Sequence, residues 1–188
     1  EIERRKRIEE WLDAGMGCCA LARPDVARYV QNSLLRFHDQ RYQLHAWCIM
    51  PNHAHVVVTP FDGHEVSTIL RSWKSYTANP INRLLGRRGT LWERESFDHL
   101  CRKEESVTRF VEYTLSNPVE AGLCGTPEDW RFSSCGIGFQ PAPYEFVDPR
   151  STPFVEIQDR GELPHLHKPG GTYFVTVRLF DAIDVKRG

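Results

Sequence analysis

At 188 residues, 40% hydrophobic and 26% charged, the chain has enough material for one domain of ordinary size with a real core. Its net charge of −1 neither demands nor excludes a nucleic-acid partner, but basic residues gather at 4–7, 71–94 and 102–103, which allows a local basic face. The six cysteines form no C-x-x-C pair, and no apolar run is long enough for a membrane span. These features argue for free thiols, no membrane contact and a cytoplasmic setting.

In chain order, residues 2–13 read as a charged helix with sparse apolar contacts. After Pro24, residues 25–37 read as an amphipathic helix with Val26, Tyr29, Val30, Leu34 and Phe37 on one side. Residues 41–50 and 53–59 predict a β-hairpin turning at Pro51-Asn52. Val66, Ile69, Leu70, Trp73, Tyr76 and Leu84 give residues 66–85 a helical period, which Pro80 should kink or divide. A short strand is expected within 90–102, a helix over 104–115 ended by Asn117-Pro118, and loop over 127–150. Residues 170–179 carry the strongest strand pattern, and they come last.

His53 and His55, two apart on an extended run, point to one face of their strand. They could be two metal ligands, or simply the polar face of a half-buried strand. At about 100° per residue, Tyr113 falls roughly 120° from the centre of the apolar arc of helix 104–115, with Asn117 within about 40° of it. A phenol and a carboxamide are therefore expected to share a face that is not the core face. An amphipathic edge for Tyr113 and a helix C-cap for Asn117 are the plainer alternatives.

Several segments together carry a family resemblance. They are Pro51-Asn52-His53-Ala54-His55, Ser72-Trp73-Lys74-Ser75, Gly89-Thr90-Leu91-Trp92-Glu93-Arg94-Glu95-Ser96-Phe97-Asp98-His99, the stretch 113–123 with Tyr113 and Asn117-Pro118, and Asp129-Trp130-Arg131-Phe132-Ser133-Ser134. The chain resembles the single-tyrosine HUH transposases, nearest the bacterial REP-associated tyrosine transposases. That resemblance implies Tyr113 as nucleophile, His53 and His55 as metal ligands, Asn117 as a third, polar ligand, and Mg²⁺ or Mn²⁺ as the ion. It also implies cleavage and joining of single-stranded or hairpin DNA through a phosphotyrosine, in a bacterial, nucleoid-associated setting. A phenolate nucleophile with a divalent ion on the scissile phosphate is chemistry that suits those residues.

DNA contact is expected from Arg71, Lys74, Arg83, Arg87 and Arg88, with Trp92 and Arg94 as stacking groups for unpaired bases. Each could equally belong to a solvated basic helix face. His165 and His167 repeat the H-x-H spacing, but between Pro164 and Pro169 they read as loop residues. The fold implied is α+β, a ferredoxin-like antiparallel sheet with helices on one face. The strand at about 171–179 is similar to the family's first yet comes last, an order that circular permutation, a fragment of a tandem fusion or reordered numbering would each produce. Residues 1–135 would form the catalytic core, 136–160 a loop or tail, and 161–188 the strand completing the domain, in cis or swapped within a homodimer. A non-catalytic binder of structured single strands and a phosphohydrolase using water are the competing functions.

Overall fold

The computed structural model describes residues 11–12, 14–143, 146–151, 156–159 and 164–181. The expected helix 2–13 lies mostly outside them, although Trp11 and Leu12 are helical.

Strand β1 (Tyr42–Ile49) turns through residues 50–52 into β2 (His53–Pro60), the turn closed by Met50 N donating to His53 O at 2.8 Å. A bulge at His45 shifts the pairing from Leu44↔Val58 to Ala46↔Val57. Beyond β2 lies the last strand, β6 (Tyr173–Arg178), and beyond that the short edge strand β3 (Phe97–Leu100); all neighbours are antiparallel. The carboxyl-terminal strand is therefore central, and it pairs with β2 and β3 of its own chain. Gly170, at φ +68°, makes the turn into it, and Gly171 follows in close contact. A Cβ on Gly171 would stand 2.7 Å from Leu100 Cδ1, so only glycine fits there without a shift.

Helix α1 (Pro24–Leu35) starts with proline at its first position and Asp25 in its first turn, both suited to a helix N-terminus. Helix α2 (Val66–Leu84) buries Val66, Ile69, Leu70, Trp73, Thr77 and Ile81 at helical spacing. Pro80 lies inside α2 and does not divide it: the burial of Thr77 and Ile81 on either side outweighs one lost backbone bond. Helix α3 (Glu104–Glu120) likewise runs on past Asn117 and Pro118.

The architecture is α+β, but the helices cover both faces of the sheet rather than one. Leu44, Val56, Val58, Tyr173, Val175 and Val177 meet α1 and α2 in the main core. On the reverse face Ala46, Val57 and Phe174 meet Val107 and Phe110 of α3. The cause is legible in β2 and β6, whose consecutive valines and alternating Phe174 are apolar in both directions and demand two covers.

Residues Glu156–Asp159 (β4) and Pro164–His167 (β5) form a separate two-stranded ladder. The stretch expected to be loop or tail thus ends in a strand, and His165 and His167 lie on a strand rather than in a loop. Pairing between two four-residue segments supplies what neither shows as a local pattern.

Candidate active site

Alternation along β2 sends Ala54, Val56 and Val58 to the main core and His53, His55 and Val57 to the α3 face. Both imidazoles are fully buried. Their Nε2 atoms converge to 2.9 Å. Behind them, His53 Nδ1 meets Asn52 Oδ1 at 2.7 Å and His55 Nδ1 meets Thr176 Oγ1 at 3.0 Å. The Asn52 amide is itself held, its Nδ2 donating to Leu12 O at 3.0 Å and Met16 O at 2.9 Å. Phe174 stacks on His55 with centroids 5.3 Å apart, and Phe110 stacks on Phe174 at 4.4 Å. Loss of solvent pulls His55 down to about 3, and burial with the neighbouring His55 holds His53 well below the ordinary imidazole range. Both rings are neutral at physiological pH, the state a metal ligand needs.

Helix α3 brings Tyr113 against this pair. Its ring stands edge-on to His55 at 5.3 Å and to Phe174 at 5.8 Å. Asn117, one turn on, is 1% exposed. The two do share a side of the helix, but it is the side turned toward the sheet, contrary to the expectation of a non-core face. The buried arc is set by Val107, Thr114, Asn117 and Pro118. Val111 and Leu115, which pulled the apolar arc the other way, are only partly buried. Nor is Asn117 a C-cap. The helix ends later, with Ala121 N donating to Asn117 O at 2.9 Å and Leu123 N to Pro118 O at 2.8 Å.

The residues present fit a small octahedral cation. Ligands about 2.1 Å from such an ion and at right angles to one another stand about 3.0 Å apart, close to the Nε2 separation. The outer nitrogens have hydrogen-bond partners, the usual support for a ligating histidine. Among the described residues, no group of three His, Cys, Asp or Glu side chains is gathered for a metal. Asn117, one turn beyond Tyr113, is the buried amide that α3 carries on this side.

The basic residues divide. Arg71, Arg83, Arg88 and Arg94 are exposed. Lys74 instead fastens a turn, its Nζ donating to Glu93 O at 2.7 Å and Arg94 O at 3.1 Å, and burial lowers it to about 8. Arg87 donates to Asp181 at 3.2 Å and to Thr90 O at 3.0 Å. Trp92 is 6% exposed and its indole donates to Thr77 Oγ1 at 2.8 Å, so most of the ring is packed in the fold while its remaining surface lines the groove between α2 and residues 89–98. Arg71, Lys74 and Arg94 line a groove of about 540 Å³ between α2 and residues 89–98. This groove opens on the sheet face opposite the histidines, because Asp98 on its wall pairs with Val175, whereas Phe97 pairs with Thr176 on the histidine side.

Asn52, Thr176 and Phe174 belong to the site without having been singled out from sequence. For Asn52 the local signal was a turn; for the other two, period-2 alternation along β6 placed them on one face.

Residues 24–114 match the family model described as "Transposase IS200 like". The chain is also 25% identical, over 99 residues, to a Haemophilus influenzae protein provisionally named a REP-associated tyrosine transposase. That match covers 47% of the chain and 56% of the relative, so the chain spans little more than half of the relative's length. No solved structure matches it.

Proposed function

We propose, for a chain whose residues 24–114 belong to the IS200-like transposases, that it cuts and rejoins a DNA strand with Tyr113 as nucleophile. The observation that carries this reading is the Tyr113 ring set on His55, beside two neutral imidazoles whose Nε2 atoms converge. Attack by the Tyr113 oxygen on phosphorus forms a phosphotyrosine ester and breaks one backbone P–O bond. The phenol's proton passes to solvent, and the departing DNA oxygen takes one up. The ester keeps the energy of the broken bond, so a second DNA hydroxyl can reverse the step and join strands without a nucleotide cofactor. Polarisation of the scissile phosphate is the chemistry that Mg²⁺ or Mn²⁺ supplies when held by His53, His55 and Asn117.

The substrate is single-stranded, or the unpaired end of a hairpin. Tyr113 is only partly open, so a flexible strand can bring a phosphate to its hydroxyl where a rigid duplex cannot. Arg71 and Arg94 in the groove hold the same DNA. From there a strand reaches the histidine face around the edge strand β3, two strand spacings, or about 10 Å, from β2.

The test is incubation with Mn²⁺ and a panel of single-stranded hairpins, followed by a denaturing gel. The wild-type protein forms a covalent adduct, and Tyr113→Phe binds DNA without forming one. Adducts that persist in Tyr113→Phe would refute the assignment. A free 5′ phosphate with no adduct would mark a hydrolase, and binding without cleavage a non-catalytic holder of single strands.

A further inference from the structure

Asn52 sits at the hairpin turn but is wholly buried, and its amide bridges two parts of the chain. Its Nδ2 faces two carbonyls, Leu12 O and Met16 O, which accept and cannot donate. That identifies the nitrogen and leaves Oδ1, an obligate acceptor, against His53 Nδ1 at 2.7 Å. The proton in this contact therefore belongs to His53 Nδ1. A neutral imidazole carries one N–H, so His53 Nε2 presents a lone pair to His55 Nε2, 2.9 Å away. Two lone pairs facing each other at that distance would repel, so the proton between the rings is on His55 Nε2. His55 Nδ1 is then an acceptor, and the Thr176 hydroxyl donates to it.

We infer that Asn52 is a positioning residue that locks His53 as its Nδ1–H tautomer and so gives the two histidines opposite tautomers. The asymmetry follows from the partners. An amide oxygen clamped from behind can only accept, whereas the Thr176 hydroxyl can rotate to donate or accept. His53 is a ligand made ready in advance, and His55 can exchange its tautomer at no net change in protons. The anchors of Asn52 lie 36 and 40 residues earlier in the chain, so the carbonyls of Leu12 and Met16 are tied to the site through this side chain.

This inference rests on the proposed metal site only for its consequence, the binding of a cation; the tautomers themselves belong to the metal-free protein. Long-range ¹H–¹⁵N correlation spectra of metal-free wild-type protein should find the unprotonated nitrogen at Nε2 of His53 and at Nδ1 of His55. The same tautomer on both rings, or a protonated Nε2 on His53, overturns the inference, whatever any variant does. Asn52→Ala should mix the His53 tautomers and weaken Mn²⁺ binding, followed by titration calorimetry, by roughly 10–100-fold. An Asn52→Ala protein with unchanged tautomer and unchanged Mn²⁺ affinity would also sink it. Wild-type protein that binds no Mn²⁺ yet gives the expected spectrum would instead defeat the metal reading and leave the role of Asn52 standing.

Discussion

Three histidines are neutral inside this fold, and acid should unfold it through them. Burial lowers His55 to about 3 and His45 to about 4, and holds His53 well below the ordinary range. In the unfolded chain each returns to about 6.5. The folded values lie below the unfolded one, so the unfolded chain binds more protons as pH falls. Their stabilising contribution is complete above pH 6.5 and is lost on descending from there toward the folded values. Between pH 7 and 5.5 each histidine should cost about 1.3 kcal/mol, or about 4 kcal/mol for the three. That is a large part of the 5–15 kcal/mol typical of a whole domain. The lowered carboxylates Asp25, Glu128 and Asp148 titrate at lower pH, so they do not confuse this window. Urea unfolding of metal-free protein in chelator, followed by tryptophan fluorescence, should give a midpoint that falls steeply from pH 7 to 5.5. His45→Gln, which removes one of the three protons, should flatten the slope by about a third. A midpoint independent of pH over that range would refute the burial and neutrality of these rings.

Arg71→Ala combined with Arg94→Ala should weaken single-strand binding and lower the slope of log affinity against log salt by about 1.4, with adduct yield at saturating DNA unchanged. An unaltered salt slope would place the DNA elsewhere. Trp92→Ala should cost about 3–5 kcal/mol in denaturant unfolding while the folded fraction binds DNA normally. Lost DNA affinity at unchanged stability would return Trp92 to a stacking role. Thr176→Val leaves His55 Nδ1 buried without its hydroxyl, at about 1–3 kcal/mol, and Thr176→Ser should recover most of the loss; equal melting of the two variants would argue against the contact.

What could be read in advance were features with a period. The hairpin of β1 and β2, helices α1 and α2 and the last strand all announce themselves through alternation or a helical stripe. So does the pairing of His53 with His55 on one face. What could not be read were roles set by distant partners. Asn52 follows a proline and has turn chemistry, yet its amide is claimed by carbonyls at 12 and 16. Asn117 precedes a proline and reads as a stop, because residues before proline avoid helical backbone. Here packing of Thr114, Asn117 and Pro118 carries the helix through. Trp92 and Lys74 lie in a basic, aromatic stretch that looks like a nucleic-acid surface, but Thr77 and the carbonyls of Glu93 and Arg94 take their polar ends. Composition cannot distinguish a side chain that serves the fold from one that serves a ligand. The cover on both faces was legible after all, in the unbroken Val56-Val57-Val58.

The position of β6 ties these threads into one physical dependence. A row crosses the sheet from Cys48 through His55 and Thr176 to Phe97, each in register with the next. Along β6, Phe174 and Thr176 serve the histidines while Tyr173, Val175 and Val177 fill the opposite core. Side chains on a strand alternate, so a slip of one residue would exchange the two sets completely. Val175 would then stand beside His55 in place of its hydroxyl partner, and Thr176 would enter an apolar core. Such a slip costs buried hydrophobic surface on one face and hydrogen bonds on the other, so the core enforces the register that the site requires. Docking of the last strand and assembly of the histidine site are therefore one event, even though His53, His55 and Tyr113 all lie on other elements.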